Sequence, residues 1–167
     1  MANLEATIAS MPDSGAAYLT LALIHQQDKA YAKALAVYER ALARNPDFWF
    51  AMNNAAFLMG ETTQDPAELE KALALANKAL SRKPEDPSAL DTLGWLHYRL
   101  GNPKRALGPI EQALAKAPEN STILSHMGMV YFELGRQDEA RENLEKALAG
   151  KNDFMGRPEA EKVLAKL

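Results

Sequence analysis

The apolar positions of this chain recur at helical spacing, and the pattern itself recurs every 34 residues. Laying Ala89–Gly101 over Thr122–Gly135 pairs Leu90 with Leu124, Leu93 with Met127, Gly94 with Gly128, His97 with Tyr131 and Leu100 with Leu134. The same offset pairs Ala106 with Ala140, Ile110 with Leu144, and Ala113-Leu114 with Ala147-Leu148. Within a unit, positions 50, 53 and 57, and again 91, 95 and 98, follow the i, i+3, i+4, i+7 spacing of one helix face. A fixed period of this size predicts a solenoid, in which each unit buries its apolar face by stacking on its neighbours.

The repeat extends backwards through Leu19-Thr20-Leu21-Ala22 with Ala34, Tyr38 and Ala41-Leu42, and through Met52, Ala55 and Ala56 with Ala72, Ala76 and Ala79-Leu80. Units are therefore read at 15–48, 49–86, 87–120 and 121–154. The second is four residues longer, since Ala56 to Ala72 spans 16 positions where Gly94 to Ala106 spans 12. Each unit is predicted to be a pair of helices. Asp86-Pro87 is a strong helix start, an N-cap carboxylate before a proline at the first helical position, and Asp65-Pro66 repeats it after the expected polar loop Glu61–Gln64. Gly101-Asn102-Pro103 and Gly135-Arg136-Gln137 supply turns. Alanine at 34, 72, 106 and 140, and again at 41, 79, 113 and 147, suits helices that cross closely, as do Gly94 and Gly128.

These residues carry a resemblance. Leu-x-x-Leu-Gly-x-x-(His/Tyr), then Ala-x-x-x-(Ile/Leu)-x-x-Ala and a closing proline (Pro46, Pro118), resemble the tetratricopeptide repeat over residues 15–154. Alanine replaces the glycine in the first two units, and Asn152 stands in place of the last proline. The resemblance implies an all-α, right-handed superhelical solenoid whose first helices line a concave groove. The phrases AMNNAAFLM, DTLGWLHYRLG and DFMGRPEAEKVLAKL are also similar to the C-terminal part of bacterial tetratricopeptide proteins of envelope polysaccharide and exosortase (PEP-CTERM) systems.

Pro12 lies 34 before Pro46, so residues 1–14, with Leu4, Ile8 and Met11 on one side, take the place of a preceding second helix. A start halfway through a repeat is expected of a piece of a longer array. Residues 155–167 are expected to form a capping helix opened by Pro158, with Ala160, Val163, Leu164 and Leu167 covering the last apolar face and the native C-terminus present.

Charge and chemistry narrow the reading. The 19 basic and 22 acidic residues are spread as helix-face pairs, without the basic stripe of a nucleic-acid binder. No apolar run reaches a membrane span, and residues 1–10 lack the basic start and apolar core of a signal peptide. The absence of cysteine rules out disulfides and thiolate metal sites and fits either the periplasm or the cytoplasm of a bacterium. His25, His97 and His126 are far apart in sequence, no phosphate-binding loop is present, and no cofactor, metal site or catalytic residue is expected. Gly108-Pro109 falls inside a second helix and is expected to bend it.

The groove is what remains for function. The resemblance places Leu19, Thr20, Leu23, Gln26 and Gln27 on it from the first unit, and Phe50, Asn53, Asn54, Phe57 and Glu61 from the second. Asp91, Thr92, Trp95, Tyr98 and Arg99 follow from the third, then Ser125, His126, Met129, Phe132 and Glu133 from the fourth. The candidate peptide-binding set is Phe50, Asn53, Asn54, Phe57, Asp91, Trp95, Tyr98, Arg99, Ser125, Met129 and Phe132. Aromatics and arginine are the usual anchors of protein interfaces, while Asn53, Asn54 and Asp91 suit hydrogen bonds to an extended backbone. Leu23, Phe57, Trp95 and Met129 either line this groove or pack on the next repeat; Tyr98 and Phe132 are read as least needed for packing. The carboxylate clamp of co-chaperone tetratricopeptide domains is not matched: Leu19, Leu23, Ser88 and Thr92 stand at its places, with Asn54 alone agreeing. The expected partner is a protein or extended peptide, with self-association through the same groove as the alternative.

Overall fold

A computed structural model describes residues 2–150 and 153–167, so Asn152, the expected substitute for the last proline, lies outside the described residues. The described residues form helices only: α1 (Ala2–Ser10), α2 (Gly15–Gln27), α3 (Tyr31–Arg44), α4 (Trp49–Thr62), α5 (Pro66–Arg82), α6 (Pro87–Arg99), α7 (Pro103–Lys116), α8 (Ser121–Glu133), α9 (Gln137–Ala149) and α10 (Arg157–Leu164). The pairs α2–α3, α4–α5, α6–α7 and α8–α9 stack in sequence into a helical solenoid. None of these helices is long and apolar enough to cross a membrane.

Side-chain size dictates the stacking. All eight repeat-position alanines are buried, and so are Ala22 and Ala56. At Gly94 an added Cβ would stand 2.4 Å from Ile110 Cγ1 and 2.9 Å from the Ala106 carbonyl oxygen. At Gly128 it would meet Leu144 at 2.6 Å. Glycine is here because α6 and α8 touch the backbone of their partners. Gly94→Ala gains about 1 kcal/mol of helix propensity but overpacks the crossing at a cost of about 1–3 kcal/mol. Urea denaturation is expected to give a less stable protein, even though alanine is the better helix former.

Caps and turns follow the sequence. The Asp86 carboxylate accepts from the Ser88 and Ala89 N–H groups, and that of Asp65 from Ala67. Asn120 caps α8 in the same way. Gly101 and Gly135 take the left-handed conformation between paired helices at φ 76° and 74°, and Lys29 fills that role in the first unit at φ 56°.

One expectation needs correction. Glu61 and Thr62 belong to α4, not to a loop; the connection is Thr63–Asp65. Counted from the crossing alanines, the long unit extends α4 by one residue and the start of α5 by three, adding almost a helical turn. Gly108 and Pro109 lie inside α7, which runs on to Lys116, with open space outside Gly108.

Helix α1 packs through Leu4 and Ile8 on the α2–α3 cluster, and Glu5 pairs with Arg40 at 2.8 Å. At the other end α10 packs on both α9 and α8. The four first helices α2, α4, α6 and α8 are much more uniformly apolar than the second helices, which are amphipathic and turn charged residues to solvent.

Candidate functional site

The inner helices bring most of the expected groove residues together, but many of them face protein rather than solvent. Asn53, Asp91, Trp95, Ser125 and Met129 are buried, while Phe50, Asn54, Phe57, Tyr98, Arg99 and Phe132 are half-buried. Trp95 on α6 is the centre of an aromatic stack. The Tyr98 ring lies 4.8 Å from it at 13°, the His126 ring lies 4.0 Å away at 6°, and Phe57 leans on His126 at 6.2 Å. Phe50 sits further towards the N-terminal end, stacked on Phe48.

One member of the stack, His126, forms a buried pair with Asp91 that sequence spacing alone did not single out. His126 is 2% exposed and Asp91 4%. His126 Nδ1 lies 3.0 and 2.9 Å from the two Asp91 oxygens, and Nε2 lies 3.8 Å from Glu61 Oε1. Burial alone would push the imidazole pKa down, but the neighbouring Asp91 and Glu61 carboxylates outweigh it and raise it to about 9. The ring is therefore an imidazolium at neutral pH, donating from Nδ1 to Asp91. A signal for this was present: residues 91 and 126 are 35 apart, one more than the period, which puts them level on adjacent inner helices. The Asp91 carboxylate is engaged by His126 while it also lines a pocket with Asn53 and Ser88. Asn54 is half-buried beside Phe57 in the same pocket, which also includes Thr92 and Asn120.

Arg99 is likewise committed. Its guanidinium donates to the carbonyl oxygens of Gly60 and Thr63, the latter at 2.8 Å, closing the C-terminal end of α4. It also lies 5.8 Å from the Trp95 ring centroid. Arg99, one of the expected groove residues, thus has a structural role within the chain. Arg99→Ala is expected to lower stability by about 1–3 kcal/mol, because half-buried carbonyls lose charged donors. Thermal melts should detect the loss in the absence of any ligand.

The chain's own C-terminal segment also lies on this surface. Phe154, Leu148, Leu164 and Leu167 pack around a cluster of Trp95, Met129, Leu144, Ala160 and Val163, which Tyr98 and Phe132 also join. Tyr98 and Phe132 therefore do take part in packing. Met155 reaches the other way and packs on the edge of the α2–α3–α4 cluster, sharing a pocket with Gln26, Lys29 and Tyr31 at the α2–α3 turn. Gly156, at φ 88°, backs onto Glu61: an added Cβ would lie 3.6 Å from Oε2. Arg157 N–H donates to the Phe154 carbonyl at 3.1 Å, and its guanidinium to the carbonyls of Leu148 and Gly150 at 3.1 Å each. The turn 153–156 thus crosses the concave face from the last helix pair to the first two.

Stacked helix pairs with small residues at every crossing and an aromatic inner face define a repeat protein of the tetratricopeptide class. Comparison with known proteins agrees. Residues 15–48 match the tetratricopeptide repeat family model, and residues 65–147 match that of subunit 3 of the anaphase-promoting complex, or cyclosome. A TPR repeat-containing protein of Pseudomonas aeruginosa is 33% identical over 60 residues, which are 36% of this chain and 10% of that protein. The chain thus aligns with only a tenth of the length of this curated relative. Among solved structures, a thermophilic TPR protein of Thermus thermophilus superposes with a TM-score of 0.74 at 24% identity, covering 97% of this chain and 87% of that one. PilW, a type IV pilus biogenesis factor, gives 0.74 at 22% identity, covering 98% and 76%. The chain belongs to the tetratricopeptide repeat family.

Proposed function

We propose that this protein is a scaffold that takes up an extended segment of a partner protein on the concave face of α2, α4, α6 and α8. The observation that carries the reading is the irregular Phe154–Gly156 segment lying across that face, since a surface that accommodates one apolar, non-helical stretch has the shape and chemistry to accommodate another. The half-buried Phe50, Asn54, Phe57, Tyr98 and Phe132 combine aromatic area with one adaptable polar group, the composition typical of interface anchors. A role in building or exporting an envelope structure is the finer part of the proposal. It is supported by the fold shared with a pilus biogenesis factor and by the similarity to envelope polysaccharide proteins.

A displayed random-peptide library panned against the protein tests this reading. Enriched peptides should lose at least tenfold in affinity for Phe57→Asp, placed on the inner face, and bind Lys104→Glu, on the outer helix α7, as tightly as the parent. Loss at Lys104→Glu with no change at Phe57→Asp would move the site to the outer face.

A further inference from the structure

The C-terminal segment does more than a cap requires. Covering Leu144 and Leu148 needs α10 alone, yet the chain before α10 sends Phe154 to the inner-face cluster of Trp95 and Met129, and Met155 to the edge of the N-terminal cluster, where it shares a pocket with Gln26, Lys29 and Tyr31 at the α2–α3 turn. We propose that the Phe154–Met155–Gly156 turn is a strap that closes the groove, and that the partner segment able to open it carries the same chemistry, an aromatic followed by a second large apolar side chain and then glycine. This rests on the concave face being the binding surface.

The way the strap is held favours exchange. Its hydrogen bonds are local: Arg157 N–H closes the turn on Phe154, Glu159 and Ala160 N–H groups return to the Gly156 carbonyl, and the Arg157 side chain ties the turn to the end of α9. Among the described residues no backbone hydrogen bond joins 153–156 to α2, α4, α6 or α8. Two side chains therefore provide its grip on the groove, and an incoming pair of similar size replaces them without breaking any ladder. Gly156 supplies the reversal, because its left-handed φ of 88° costs other residues strain. A Cβ at this position would lie 3.6 Å from Glu61 Oε2. Because the competitor is tethered, its effective concentration is high, and a partner must bind tightly or arrive in several copies to displace it.

The test uses the full chain in a Trp49→Phe background, so that fluorescence reports Trp95 alone. Acrylamide quenching is compared between the parent and two variants: Phe154→Ala/Met155→Ala, which removes the grip, and Gly156→Ala, which keeps both side chains but strains the turn. A synthetic hexapeptide of sequence Asp-Phe-Met-Gly-Arg-Pro is then titrated into each and followed by NMR shift perturbation. Quenching should rise in both variants, and the hexapeptide should bind the double variant at least tenfold more tightly than the parent. Unchanged quenching in both variants would overturn the strap while leaving the groove reading intact. Raised quenching with no hexapeptide binding to either variant would overturn the groove reading, and the proposal with it. A parent protein that light scattering finds dimeric, reverting to monomer in the double variant, would place the turn in a second copy and overturn closure within one chain.

Discussion

Deleting Arg157–Leu167 is expected to lower the unfolding free energy by about 2–5 kcal/mol and to make the protein aggregate. Val163 and Ala160 are buried and Leu164 and Leu167 half-buried on the α8–α9 end of the solenoid. Full burial of one large aliphatic side chain contributes about 1.5–3 kcal/mol. The ordering of the helix backbone offsets a substantial part of the sum. The loss is felt locally, because stability in a repeat protein is close to a chain of nearest-neighbour terms. The terminal pair α8–α9 should therefore open first, exposing Met129, Phe132, Leu144 and Leu148. Thermal melts with light scattering check this; an unchanged midpoint and a monomeric mass would mean that α10 contributes no cover.

The second large effect concerns His126. Its unfolded pKa is the ordinary 6.5 and its folded pKa is raised to about 9. The folded state therefore holds a proton that the unfolded chain releases between these values. The stabilisation is fully present below pH 6.5 and is lost as pH rises through about 9. The interval corresponds to about 3 kcal/mol. The groups that face the ring are Asp91 on α6 and Glu61 on α4, with the Trp95 and Phe57 rings on its sides. Urea midpoints at about pH 6 and about pH 10 should differ in the parent. The His126→Leu/Asp91→Leu double variant should lose most of that difference. Asp91→Leu alone, which leaves a buried cation without its main partner, should cost about 3–5 kcal/mol at neutral pH. A parent stability independent of pH over this range would mean that the imidazole is neutral in the folded protein.

The sequence was most legible where one physical constraint repeats. Helix crossings admit only small side chains, so Ala34, Ala72, Ala106 and Ala140, with Gly94 and Gly128, mark the fold and its period. The carboxylates at Asp65 and Asp86 mark helix starts because each precedes a proline. The site was less legible, since periodicity says which side chains turn inward but not what meets them there. Asp91, Trp95 and Met129 do lie on the inner helices; what meets Asp91 is His126, and what covers Trp95 and Met129 includes Phe154, at the end of the last unit, whose path no period encodes. Arg99 differs for a related reason. Its partners are backbone carbonyls at the end of α4, and the sequence does not display them. The Asp91–His126 pair was within reach of the period, through the 35-residue separation, once inner helices are compared with one another rather than each with the consensus.

Binding on the inner face and its closure by the strap can be tested together. Hydrogen exchange of the full protein is followed by mass spectrometry with and without a saturating library-selected peptide. The peptide should slow exchange in α4, α6 and α8 and speed it at 153–156. Slowing confined to the outer helices α5, α7 and α9, with exchange at 153–156 unchanged, would contradict both.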